Sequence, residues 1–179
     1  EYLGKSNIVC TGNPIRPGLC IIEKKEALRF FRFEAHKMTL LVMGGSQGSS
    51  KINQSFVKAV ATLPLKDGLQ IIHLSGLRDT CVLERAYGDA EIQARVFGFL
   101  QEMHYAYSAC DAVICRAGAT TISELEYFRL PALVIPYPFA FAHQVANAQV
   151  LLERGCAMMI KDEELDFKNL REAIEHNLC

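Results

Sequence analysis

Tryptophan, blocks of like charge and long uninterrupted apolar runs are all missing from the 179-residue sequence. Nineteen basic residues stand against twenty acidic ones, a formal charge of -1, so no basic surface is expected to bind nucleic acid. The longest apolar stretch, residues 130–142, is shorter than the roughly 20 residues that span a bilayer, and prolines interrupt it. We therefore expect no transmembrane segment and no nucleic-acid partner.

Several common motifs are missing too. The seven cysteines are odd in number and scattered, without a CxxC pair, so they favour buried thiols in a reducing compartment over a zinc site. Neither GxGxxG nor GxxxxGK[ST] occurs, which removes the usual support for a dinucleotide-binding fold or a P-loop NTPase. A DxD motif is also lacking, and its nearest approach, Asp89-Ala90-Glu91, is expected to lie within or just after a helix.

The patterns that are present predict an α/β domain. From Met38 onward, short apolar runs alternate with stretches of helical period, which predicts a Rossmann-like parallel sheet with helices on both faces. The predicted strands are 39–43, 70–74, 95–97, 112–115, 132–135 and 157–160, and the predicted helices lie near 52–63, 122–128, 145–152 and 167–178.

The hydrophobic content, half of all residues, is enough for a single domain over residues 1–179. Residues 1–37 form a less regular lead-in, with a candidate strand at 7–11 and a candidate helix at 26–34. Because the chain opens at Glu1 and stops at Cys179 inside a predicted helix, we expect both ends to be cuts through a longer protein.

Ligands of open α/β sheets bind beyond the carboxyl ends of the strands, so the loops there are the candidate sites. Gly44-Gly45-Ser46-Gln47-Gly48 follows the first predicted strand and leads into a helix. Its glycines permit a tight turn with bare amides, and the helix N-terminus carries partial positive charge. The loop therefore predicts an anion site, although a tight strand-to-helix turn without a ligand also accounts for it.

A second loop, residues 116–121, repeats this arrangement after the strand that ends at Cys115. Thr120 or Thr121 is expected to cap the following helix, while amides near Ala119 face outward. Glu124, one turn on, is placed to accept from a pair of ribose hydroxyls below a phosphate. The alternative is an acidic residue that complements the helix dipole.

A third loop runs from Pro136 to Gln144, with prolines that fix an extended path. His143 and Gln144 fall at the start of a helix and offer the donors and acceptors that sugar hydroxyls require. A lone histidine is also compatible with a packed or solvated side chain.

In order and spacing, four segments resemble the MurG-type family of bacterial N-acetylglucosaminyltransferases. They are GGSQG at 44–48 with Asn53, CRAGATTISE at 115–124, LPALVIPYP at 130–138 and HQVANA at 143–148. Residues 12–16, GNPIR, are also similar to the start of that family's C-terminal domain. The resemblance covers nearly the whole chain.

The resemblance implies the C-terminal, donor-binding domain of a GT-B glycosyltransferase. Such an enzyme transfers N-acetylglucosamine, with inversion, from UDP-N-acetylglucosamine to a lipid-linked muramyl-pentapeptide in peptidoglycan synthesis. It is cytoplasmic and peripheral on the inner membrane. The catalytic base and most of the acceptor surface would belong to an N-terminal domain, so this chain alone is expected to bind nucleotide without turnover. Neither a tightly bound metal ion nor a cofactor is expected.

The resemblance also implies roles for individual residues. Ser46 and Gln47 would meet the diphosphate with Thr120 and Thr121, and Glu124 would hold the ribose. The backbone at Leu100 would border the uracil, with Arg16 near the nucleotide, while the sugar would meet the Ala119 amide, His143 and Gln144. The glycines that shape these loops are Gly44, Gly45, Gly48 and Gly118. The sequence departs from the family at His143, where some relatives carry glutamine, and after Leu100, where an acidic pair is common.

Two other functions remain open. A non-hydrolysing UDP-N-acetylglucosamine 2-epimerase shares the architecture and the donor. A nucleotide-sugar-binding subunit that needs a separate membrane partner would also fit. The GGSQG loop favours the MurG type over both.

Overall fold

The computed structural model describes residues 12–64, 66–139 and 143–177, and these form a six-stranded sheet flanked by helices. The strands are β1 (Met38–Met43), β2 (Leu69–Leu74), β3 (Gln93–Phe97), β4 (Ala112–Cys115), β5 (Ala132–Val134) and β6 (Ala157–Met159). The helices are α1 (Lys24–Phe31), α2 (Ser50–Ala61), α3 (Thr80–Asp89), α4 (Met103–Ala109), α5 (Ala119–Phe128), α6 (His143–Glu153) and α7 (Phe167–Asn177).

The sheet is parallel, with strand order β3-β2-β1-β4-β5-β6, which confirms the predicted Rossmann-like architecture. Alternate residues of the central strands enter two cores, as the pleat requires. In β1, Leu41 packs with α1, α4, α5 and α6 on one face, whereas Leu40 and Val42 pack with α2, α3 and α7 on the other. The predicted strand at 7–11 lies outside the described residues.

The register brings the central strands to a common end. Met43 of β1 lies opposite both Leu74 of β2 and Cys115 of β4. The loops that begin at Gly44, Ser75 and Arg116 therefore leave the sheet side by side. The strand order reverses between β1 and β4, the place where open α/β sheets form a ligand crevice.

Two helices and several cysteines differ from the sequence expectation. Helix α4 was not predicted, and for α3 only a helix at or just before Asp89 was expected, because both helices are short. Cys110 and Cys115 are buried as expected, but Cys20, Cys81 and Cys156 are exposed, so the expectation of buried thiols is wrong for these three. None of the described helices is long and apolar enough to cross a membrane.

Gly48 is required by a close approach of two loops. Its φ is +77°, and a Cβ there would lie 2.1 Å from the carbonyl oxygen of Ser75. Gly76 meets the same loop from the other side, where a Cβ would lie 2.4 Å from the carbonyl oxygen of Gln47. The turn after β1 and the turn after β2 thus touch backbone to backbone, which leaves no room for side chains.

We expect Gly48→Ala to lower the free energy of unfolding by at least about 2 kcal/mol, because it combines left-handed strain with a backbone clash. Gly118→Ala is the matched control. Gly118 has φ -65°, and a Cβ there would meet its nearest atom, Oγ1 of Thr121, at 3.8 Å. That change should cost less than about 1 kcal/mol. Urea unfolding measures both, and equal losses would contradict this account.

Candidate functional site

Two adjoining pockets open at the carboxyl ends of β1 and β4. The Glu124 pocket, of about 270 Å³, is lined by Arg16, Met43, Gly45, Ser46, Leu74, Gly98, Phe99, Leu100, Met103, Tyr107, Thr120, Thr121 and Glu124. The Arg116 pocket, of about 410 Å³, is lined by Gly44–Ser49, Arg116, Gly118, Thr121, Tyr137 and Gln144. Gly45, Ser46 and Thr121 line both pockets, so the two form one continuous cleft.

The cleft brings together most of the residues singled out from the sequence. Arg16, Leu100, Thr120 and Glu124 lie around the first pocket, and Gln47, Gly48, Gly118 and Gln144 around the second. Ala119 and His143 line neither pocket. Both are exposed first residues of helices, Ala119 of α5 and His143 of α6.

Glu124 is a buried carboxylate with two protein donors. It is only 3% exposed, and it accepts from Arg16 Nε at 2.9 Å through Oε1 and from the Tyr107 hydroxyl at 2.7 Å through Oε2. A carboxylate has about four acceptor positions, two on each oxygen. One position therefore remains on each oxygen, which matches the two donors of a vicinal diol. A role limited to complementing the helix dipole would not require these two hydrogen-bond donors.

The N-terminus of α5 carries no side-chain cap. Its N-cap is Gly118, and no side chain bonds to the first amides, so the expectation that Thr120 or Thr121 caps this helix is wrong. The first N–H groups of a helix have no intrahelical acceptor. Those of α5 point toward the cleft end of the helix, where they favour an anion.

Gln144 and Asn147, one turn apart on α6, hold the loop after β4. The Gln144 side-chain oxygen accepts from the amides of Ala117, at 3.1 Å, and Tyr137, at 2.8 Å. The Asn147 side chain donates to the Ala117 carbonyl at 3.0 Å. Gln144 therefore has only its NH₂ group left to meet a ligand.

Arg116 ties three loops together. Its guanidinium donates to the carbonyl of Ile135 at 3.1 Å, to Ser49 Oγ at 3.0 Å and to Asp162 Oδ1 at 2.6 Å. Burial raises the pKa of Asp162, but hydrogen bonds from Arg116 and Lys51 outweigh it and hold that pKa below its usual range. Sequence reasoning gave Arg116 no role. The sequence feature that could have indicated this role is the position of a charged residue directly after the fully buried strand β4.

A buried polar network fixes the turns that follow β1 and β2. Asn53 of α2 donates to the Ser75 carbonyl at 2.9 Å and to Asp79 Oδ2 at 2.8 Å, so its oxygen accepts from His73 Nε2 at 3.0 Å. His73 Nδ1 is then left to accept from the Tyr87 hydroxyl at 2.7 Å. Burial lowers the pKa of His73 to about 3, which keeps the ring neutral.

This network predicts a pH-dependent stability. An unfolded histidine binds its proton near pH 6.5, whereas folded His73 does so near pH 3, so acid favours the unfolded chain between these values. Wild-type stability should fall through this window with a contribution from His73 of about 1.4 kcal/mol per pH unit. The stability advantage of wild type over His73→Gln should therefore shrink as the pH falls below about 6.5.

Urea unfolding at several pH values between about 7 and about 4 tests this contribution. His36→Gln is the control, because His36 is exposed on the surface. It should keep the wild-type pH dependence. A constant gap between wild type and His73→Gln at all pH values would contradict the assignment.

Comparisons with known proteins show which family has this sequence and this fold. Over residues 39–178 the sequence matches the glycosyltransferase family 28 C-terminal domain. It is 40% identical to a UDP-N-acetylglucosamine–N-acetylmuramyl-(pentapeptide) pyrophosphoryl-undecaprenol N-acetylglucosamine transferase of Desulforamulus reducens, an alignment that covers 99% of this chain and 50% of that protein. A protein of the same name from Syntrophus aciditrophicus is also 40% identical, over 98% of this chain and 48% of the relative.

Solved structures give the same result. The crystal structure of Acinetobacter baumannii MurG superposes with a TM-score of 0.77 and 27% identity, over 90% of this chain and 46% of that one. The CMP-Kdo-binding C-terminal domain of Acinetobacter baumannii WaaA shares the fold alone, with a TM-score of 0.58 and 12% identity over 83% of this chain and 85% of that one. The chain thus spans about half the length of the curated relatives it matches, and it belongs to glycosyltransferase family 28 as a MurG-type C-terminal domain.

Proposed function

We propose that this chain is the donor-binding domain of an inverting transferase that moves N-acetylglucosamine from UDP-N-acetylglucosamine to a lipid-linked muramyl-pentapeptide in peptidoglycan synthesis. The relatives from Desulforamulus reducens and Syntrophus aciditrophicus carry a name that states this donor and this class of acceptor. Since the chain spans about half of each, we place the catalytic base and most of the acceptor surface in a further domain. The acceptor is lipid-linked, so the complete enzyme would work at the cytoplasmic face of the inner membrane.

The junction of the two pockets is the observation that carries this proposal. A nucleotide sugar has a nucleoside, a diphosphate and a sugar in a row, and the cleft has two pockets joined at Gly45, Ser46 and Thr121. We place the diphosphate at that junction, because the uncapped start of α5 and the glycine loop that leads into α2 both border it, and a helix start carries partial positive charge. The nucleoside then occupies the Glu124 pocket and the sugar the Arg116 pocket.

The Glu124 pocket suits uridine. The two acceptor positions left on the Glu124 carboxylate would take the ribose hydroxyls, and exposed Phe99 with the backbone at Leu100 borders the space for the base. Leu100 is itself buried, and we assign contact with the base to its main chain rather than to its side chain. Arg16, half exposed at the mouth, can stay on Glu124 Oε1 or turn toward the nucleotide.

The chemical role of this donor-binding domain would be to stabilise the leaving group. When an acceptor hydroxyl displaces UDP from the anomeric carbon, negative charge develops on the diphosphate. Amides held in place at two helix starts stabilise that charge without reorganising during the reaction. The close backbone contact at Gly48 and the hydrogen bonds of Arg116 and Asn53 hold these loops in place. This matters because amides in a displaced loop would lose their alignment with the diphosphate.

The sugar end rests on fewer contacts. Of the three residues expected to meet the sugar, Gln144 lines the Arg116 pocket and has its NH₂ group left to donate, whereas Ala119 and exposed His143 line neither pocket. The epimerase alternative has less support, since the curated relatives compared with this chain are named as transferases.

Glu124→Ala should weaken UDP binding by about 1.5 to 3 kcal/mol, as expected when charge-assisted hydrogen bonds are lost. Calorimetric titration of the purified chain with UDP measures the change. Glu126→Ala is the matched control. Glu126 lies on the same helix and pairs with Arg154 outside both pockets, so its loss should leave UDP affinity unchanged. Equal affinities of wild type and Glu124→Ala would reject the ribose role, and a wild-type chain that does not bind UDP would reject the function.

A further inference from the structure

Of the groups around the cleft, Tyr107 stands out because its hydroxyl is buried and points at Glu124. It lies on α4, a helix that sequence reasoning did not identify, and Glu124 lies on α5. Tyr107 is 2% exposed, and its hydroxyl donates to Glu124 Oε2 at 2.7 Å. A donor at this distance from an ionised acceptor makes a short, charge-assisted hydrogen bond.

The Tyr107 ring is fixed by its surroundings. It packs against the Phe128 ring with centroids 5.0 Å apart, and its hydroxyl also lies 3.9 Å from the Met43 sulfur. Burial, and next the charge of Glu124, raise the pKa of Tyr107 far above its usual range, so the hydroxyl keeps its proton and remains a donor. Tyr107 therefore presents one hydrogen bond in one direction.

Arg16, the other donor to Glu124, is a different kind of partner. Its side chain is half exposed, and long exposed side chains hold ion pairs only weakly. Arg16 is thus free to exchange when a ligand enters, whereas Tyr107 is not. Tyr107 also carries no charge, so it orients the carboxylate without neutralising it.

We propose that Tyr107 is a positioning residue for nucleotide binding, whose hydroxyl fixes the Glu124 carboxylate in the orientation that accepts from both ribose hydroxyls. This inference rests on the proposed function, because it assumes that a ribonucleotide occupies the Glu124 pocket. It assigns the ability to tell a ribose from a deoxygenated sugar to a hydrogen bond between α4 and α5. Without the Tyr107 hydroxyl, Glu124 can rotate, and the bonds to the diol weaken.

The test compares UDP with 2′,3′-dideoxyuridine diphosphate, which lacks both hydroxyls. Wild type should bind UDP more tightly. Tyr107→Phe removes one oxygen atom and should raise the dissociation constant for UDP about tenfold, while that for the dideoxy analogue changes less than about twofold. Tyr105→Phe is the matched control. It makes the same change on the same helix, at a hydroxyl that lies 3.5 Å from Glu26 and does not contact Glu124, and it should leave both constants unchanged.

Thermal unfolding of each variant separates binding from folding. Should Tyr107→Phe not fold, the same change is made in Glu124→Gln, where no charge is buried. There it should alter UDP affinity less than about twofold, because the carboxylate it positions is gone. A further loss of about tenfold in that background would overturn the proposal. So would a folded Tyr107→Phe that loses affinity equally for both ligands, or for neither. A wild-type chain that fails to bind UDP would contradict the proposed function itself, and not only the role of Tyr107.

Discussion

The site depends on one constraint, which is that the neighbouring strands β1 and β4 end at the same level of the sheet. Met43 and Cys115 lie opposite each other in the parallel ladder, so the loops that follow leave the sheet side by side before they lead into α2 and α5. A single helix start offers a modest preference for an anion. In the proposed complex, the loop at 44–48 and the start of α5, which meet where the two pockets join, offer separate amides to the two phosphates of a diphosphate. The sheet provides this geometry before any ligand arrives.

The loops at this junction are fixed by buried polar groups rather than by apolar packing alone. Arg116 links the start of α2 to the end of β5 and to the turn that holds Asp162, and Asn53 links α2 to the turn after β2. Each clamp buries polar atoms, which is costly unless every partner is present. These hydrogen bonds are expected to make the loops rigid. Rigidity matters because amides directed at a leaving group stabilise its charge only if they do not have to move. The Glu124 carboxylate follows the same logic, with Tyr107 as its fixed donor.

Much of the fold could be predicted from the sequence, because strands buried on both faces appear as short apolar runs such as 112–115. Glycine loops and their positions after strands were equally visible, and so was Glu124. What could not be predicted is long-range. No local sequence pattern predicts that Tyr107 donates a hydrogen bond to Glu124, seventeen residues further along the chain, or that Arg116 pairs with Asp162. Helix α4 was missed because seven residues give too little periodicity, and its tyrosine was missed with it. The supposed threonine cap failed because Gly118 occupies that position, which leaves the amides open.

A crystal structure of the chain with UDP tests the central claim most directly. The account predicts phosphate oxygens within about 3 Å of main-chain amides in both loops, 44–48 and 118–121, with the ribose hydroxyls on Glu124. A diphosphate bound at only one loop, or bound through side chains while the amides of both loops stay unused, would contradict it.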